Sequence, residues 1–166
     1  MRSLALFLLL SLLGCGYHFP LQGALPGGVK RLHIPLYQNR TAEPQIESLL
    51  TNDASLVLAR NPQIVQLDDP AQADAILQGV ITSYKTTVVS YDSQDDISEY
   101  RVSLKLDVSL RAVSDGRLLW QGQLVWQGEY PADDDKNRQE DLERAAVEEI
   151  SLRLAEELSS RLQADF

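Results

Sequence analysis

The apolar residues of this chain change period several times, and each change marks an element. Arg2 is followed by ten mostly apolar residues, Leu4 to Leu13, and then by Gly14-Cys15-Gly16. A run this short does not span a bilayer. With one positive charge ahead of it and a small residue behind, it reads as a secretory signal peptide over residues 1–14. Residues 15–28 hold Gly16, Pro20, Gly23, Pro26, Gly27 and Gly28 and form a tether with little room for regular structure. Tyr17, His18, Phe19, Leu21 and Leu25 still give it apolar groups to pack. Val29 to Tyr37 reads as the first strand, with Pro35 at a sheet edge or a strand end. Thr41 is the expected N-cap of a helix with Pro44 in its first turn. Ile46, Leu49, Leu50, Leu56 and Val57 carry that helix to Arg60, before Asn61-Pro62.

Period two dominates the middle of the chain. Gln63 to Leu67 is a short extended piece, and Ala75 to Tyr91, rich in Ile, Val, Thr and Tyr, is a long strand. Asp92 to Glu99 is the hairpin loop that follows. From Tyr100 to Ala112 the alternation is clean. Tyr100, Val102, Leu104, Leu106, Val108 and Leu110 share one face; Arg101, Ser103, Lys105, Asp107, Ser109 and Arg111 share the other. Ser114-Asp115-Gly116 turns the chain back. Leu118, Trp120, Leu124, Trp126 and Tyr130 continue the apolar face, and both tryptophans belong in the core beneath the helices. Pro131 to Lys136 is a polar loop. A long helix from about Arg138 then carries Leu142, Ala146, Ile150, Leu154, Leu158 and Leu162 at steps of four, with Ala145 and Val147 alongside. One wet and one apolar sheet face, with two singly striped helices, predict an α+β fold. Its two helices pack on one face of a four-stranded, mostly antiparallel sheet, within a single domain over residues 29–166.

Charge and composition narrow the function. The chain has 15 Lys+Arg against 24 Asp+Glu, a net charge of −9, which argues against nucleic-acid binding. One cysteine excludes an intrachain disulfide framework and a cysteine-rich zinc site. His18 and His33 stand without ligand-spaced partners, so no metal and no cofactor is expected. No GxGxxG, P-loop or GxSxG motif occurs. The acid groups Asp95-Asp96, Asp133-Asp134-Asp135 and Glu148-Glu149 fall in loops or on an outer helix face, where solvation keeps carboxylates ionised and chemically ordinary. The expectation is a protein that is not an enzyme.

Cys15 stands apart. Leu12-Leu13-Gly14-Cys15 looks like a bacterial lipobox, in which the cysteine thiol receives a diacylglycerol and the chain is cut before it. Two or three acyl chains, at about 0.8 kcal/mol per buried methylene, hold a protein on a bilayer durably. Gly16, where an Asp favours the inner membrane, points to the outer one. A second candidate is the basic stripe Arg101, Lys105 and Arg111, with Arg117 expected across the hairpin from Arg111. That stripe either grips a phosphorylated ligand or pairs across strands with Asp107, Glu129 or Glu99.

The opening Leu12-Leu13-Gly14-Cys15-Gly16-Tyr17-His18-Phe19 resembles the start of the LptE family of lipopolysaccharide-assembly lipoproteins. Ile34-Pro35-Leu36-Tyr37-Gln38-Asn39, Ala73-Asp74-Ala75-Ile76-Leu77-Gln78-Gly79-Val80-Ile81 and Glu99-Tyr100-Arg101-Val102 are similar to the same family, in the same order. The resemblance implies a lipid-anchored protein on the periplasmic side of the outer membrane. It also implies a plug in the lumen of the β-barrel LptD, which supports that barrel's assembly and helps deliver lipopolysaccharide to the cell surface. In the family, lipopolysaccharide binding is associated with basic residues near the hairpin tip and on a later strand. Here Ser90 to Ser98 and Leu118 to Tyr130 hold no Lys or Arg. Lys85, Arg101, Lys105 and Arg117 are the nearest candidates for that contact. The rival expectation is a periplasm-facing lipoprotein that activates or scaffolds a cell-wall enzyme.

Overall fold

Alternating side chains build three long strands, and these form most of the sheet. The computed structural model describes residues 24–164. The signal peptide, Cys15, Tyr17, His18 and Phe19 lie outside them. The strands are β1 (Arg31–His33), β2 (Gln38–Asn39), β3 (Val65–Gln66), β4 (Ala75–Tyr91), β5 (Ile97–Ala112) and β6 (Leu118–Pro131). The helices are α1 (Ile46–Ala59) and α2 (Lys136–Ala164), with short 3-10 turns at Pro26–Gly28 and Pro70–Gln72.

The sheet has six strands and is mixed, where four and mostly antiparallel were expected. Its order is β3-β1-β4-β5-β6, with β2 also pairing β4. β4, β5 and β6 are antiparallel neighbours, whereas β1 and β2 both run parallel to β4, and β3 parallel to β1. Two causes separate expectation from structure. The predicted first strand breaks around Pro35, which has no N–H for the ladder. Residues 34–37 leave the sheet between β1 and β2, and Tyr37 turns inward onto Gly79. The second cause is α1, a crossover long enough to bring β1 and β4 alongside each other in parallel.

The helices cover one face of the sheet. β5 buries Val102, Leu104, Leu106, Val108 and Leu110, as its alternation predicts. Leu124 on β6, and Leu77 and Ile81 on β4, complete the same surface. Above them lie Leu50, Ala54 and Leu58 of α1 and Ile150, Leu154, Leu158 and Leu162 of α2, in one continuous core. Ser151 of α2 is fully buried and donates to the Asp53 carboxylate of α1, which fixes the register of the two helices. Leu25 and Pro26, from the segment expected as tether, are buried as well.

Three details depart from the sequence reading. α1 begins at Ile46 and not at Thr41, because Thr41 is spent in a turn. The Asn39 Oδ1 accepts from the Thr41 amide at 2.9 Å, and the Thr41 hydroxyl accepts from the Glu43 amide at 3.2 Å. Pro44 further disfavours a helical Glu43. Leu56 and Ala145, counted among the apolar stripes, point to solvent, Leu56 at 65% exposure. Trp120 is buried, but Trp126 is 39% exposed. Trp126 faces the helix side opposite Leu104, yet β6 is an edge strand and, among the described residues, no further strand pairs with it to cover the outer side of the ring.

Candidate functional site

The face of the sheet away from the helices is open, and it carries the predicted cations. Their placement depends on a bulge. Ile81 of β4 pairs with Leu106 and Ser83 with Lys105, so Thr82 is the extra residue. A bulge reverses the inside–outside parity of a strand. Before it Ala75, Leu77 and Ile81 face the helices; after it Tyr84 and Thr86 do, opposite Leu104 and Val102. Lys85 is thereby turned onto the open face, opposite Ser103.

Three of the four candidate residues come together. Lys85 is diagonal to Lys105, which pairs with Ser83, and to Arg101, which pairs with Thr87. Such diagonal neighbours are within reach of long side chains. Arg101 is committed: it donates from Nε and Nη2 to Glu129 Oε1 on β6. Among the described residues Lys85 and Lys105 form no ion pair, and the nearby Asp107 accepts from Gln123 at 2.7 Å. Arg117 does not join them. It lies at the β5–β6 turn beside Asp115, opposite Ala112, about 23 Å along β5 from Lys105. Arg111 pairs with Leu118 and not with Arg117, one residue away from the expected register.

Beside the cations the open face forms a shallow groove of about 640 Å³. Gln78, Asp107, Ser109, Gln121 and Gln123 line it, and Pro35 and Leu36 wall one end. The surface offers many hydrogen-bonding groups. His33 Nδ1 is 2.9 Å from the Leu67 carbonyl, so this imidazole serves the β1–β3 seam. Among the described residues no three His, Cys, Asp or Glu side chains converge to hold a metal ion.

Two polar clusters were not foreseen. Asp74 accepts from the Arg31 and Lys30 amides at 2.8 and 3.1 Å and from Arg31 Nε and Nη2 at 2.9 and 2.6 Å. The Arg31 guanidinium, then the Arg31 amide, hold the Asp74 carboxyl down at about 2. The second cluster lies on the helix side near the hairpin. Tyr84 and Thr86 hydroxyls donate to Glu143 Oε1 at 2.7 and 2.9 Å. Burial, reinforced by the bond to Glu143, pushes the Tyr84 phenol up. Burial, then the charge of Glu143, raises the Glu43 carboxyl. The signal for the first cluster was present in the Ala73-Asp74 segment, though its partner lies 43 residues away.

Against known proteins, residues 29–162 match the family model LptE, described as lipopolysaccharide-assembly. No curated protein sequence matches the chain. Solved structures match it in fold. Lipoprotein B from Nitrosomonas europaea is 14% identical and aligns over 86% of each chain with a TM-score of 0.61. A Xanthomonas campestris protein is 12% identical over 84% of this chain and 87% of its own, with a TM-score of 0.64. The rare lipoprotein B from Shewanella oneidensis is 13% identical over 80% and 92%, with a TM-score of 0.55. At these identities the likeness establishes a shared fold.

Proposed function

We propose a function from one premise: this chain belongs to the LptE family of lipopolysaccharide-assembly proteins. In this reading the protein is an outer-membrane lipoprotein, anchored through Cys15 on the periplasmic side. It plugs the LptD β-barrel, supports that barrel's assembly and assists lipopolysaccharide delivery to the surface. The observation that carries the reading is the family match over residues 29–162, nearly all of the described chain. The shape of the domain supports it. One sheet face is closed by helices, and the other is polar and, among the described residues, uncovered, a surface that a barrel wall can surround. The mechanism is one of binding and positioning. Lys85 and Lys105, free of carboxylate partners among the described residues, present two ammonium groups to phosphates of lipopolysaccharide, with Arg101 beside them.

Shielding tests this reading. Protease added to the periplasmic side of intact outer membranes is expected to spare the folded domain, and to cut it once the barrel is depleted. Equal cleavage with and without the barrel contradicts the plug and favours a free, periplasm-facing activator of a cell-wall enzyme.

A further inference from the structure

The apolar stripe on the helix side of the sheet does not end where the helices end. β4 and β5 run on past the start of α2. There Val88 pairs with Tyr100 and, past two further register shifts that offset each other, Tyr91 pairs with Ile97, which keeps these side chains on the helix side. Val88, Tyr91 and Ile97 are 38%, 62% and 37% exposed. Between this overhang and the loop before α2 is an open cleft of about 950 Å³. Tyr91, Ile97 and Tyr100 line it together with Asp95, Asp96 and Asp134. The overhang is built rather than frayed: Asp92 Oδ1 accepts from the Gln94 and Asp96 amides at 2.8 and 3.0 Å and closes the tip.

The charge selects what fits the cleft. Residues 88–100 contain four acids and no Lys, Arg or His. The nearby Arg138 is held by Asp133 at 3.1 Å. Carboxylates beside these apolar side chains repel an anionic lipid surface. They attract a guanidinium or ammonium group, whose hydrocarbon stem lies well against tyrosine rings.

We propose that the cleft under the hairpin overhang is a docking site for an arginine- or lysine-bearing segment of a partner protein. It is separate from the cationic open face and does not depend on which protein encloses that face. The test uses the full-length lipoprotein in its native outer membrane, with a photoreactive p-benzoylphenylalanine replacing Tyr91 and, as control, exposed Leu56 on α1. Irradiation is expected to join position 91, and not position 56, to a peptide carrying Lys or Arg. Adding Asp96→Lys with Asp134→Lys should lower the yield at least tenfold, with Asp96→Asn and Asp134→Asn intermediate and the circular dichroism unchanged. Neither aspartate side chain serves the tip turn. A lipid adduct, no adduct, a peptide without basic residues, or a yield indifferent to charge reversal overturns the proposal. The identity of the adduct is a separate result: a basic peptide from a protein other than LptD supports the docking site while counting against the plug.

Discussion

Asp74 joins two strands that the chain keeps 43 residues apart. Its carboxylate gathers two amides and a guanidinium, and its folded value near 2 lies below the ordinary aspartate value of about 3.9. A depressed carboxylate stabilises the fold above its unfolded value, and the stabilisation is lost as pH falls through the folded one. Asp74→Asn is therefore expected to lower stability by about 1–2 kcal/mol at pH 7, the range for a charged acceptor discounted for exposure. The difference from the parent should shrink between about pH 4 and pH 2, which denaturant titrations across pH will show; a constant difference contradicts the assignment. Gly79 makes a steric case. A Cβ there would lie 2.6 Å from the Tyr37 ring, whose own amide is held by Thr51 on α1. Gly79→Ala should cost about 1–3 kcal/mol, and an unchanged urea midpoint would show that the ring is free to move aside. On the open face, Lys85→Ala with Lys105→Ala should weaken lipopolysaccharide binding roughly tenfold or more while leaving the melting temperature in place. Unchanged affinity would remove these residues from the binding surface.

At the scale of elements, long periodic segments were legible and short or irregular ones were not. The Ala75–Tyr91 strand was expected with the boundaries it has, and the buried set of β5 follows its alternation. The α2 stripe from Leu142 to Leu162 also packs as its spacing demands, because 29 residues of repeat outweigh local noise. β1, β2 and β3 have two or three residues each, too few to show a period, and their parallel pairing depends on a crossover that no local pattern announces. The same limit governs the candidate site. Arg101 and Lys105 were placed on the open face by alternation. Lys85 reaches them only because the bulge at Thr82 reverses β4, and without it Lys85 would point beneath the helices. Trp126 illustrates the opposite failure. Alternation gave its face, but burial depends on the neighbouring strand, and among the described residues β6 has none on its outer side.

The molecule as a whole presents a closed side and an open side. The helices spend their apolar stripes on one face of the sheet and leave the other to polar and cationic groups. The apolar overhang at the hairpin lies past the end of that cover. The net charge is −9, and within it Lys85 and Lys105, without ion pairs among the described residues, form a local cationic patch on the open face. No described helix is long and apolar enough to cross a membrane. The central claim is that the open domain works enclosed by a barrel. The most direct measurement is to extract the tagged full-length lipoprotein from outer membranes in mild detergent and identify what accompanies it by quantitative mass spectrometry. The account predicts a large β-barrel, LptD, at near-equimolar amount. Recovery of the lipoprotein alone, or with a cell-wall enzyme in place of a barrel, would contradict it.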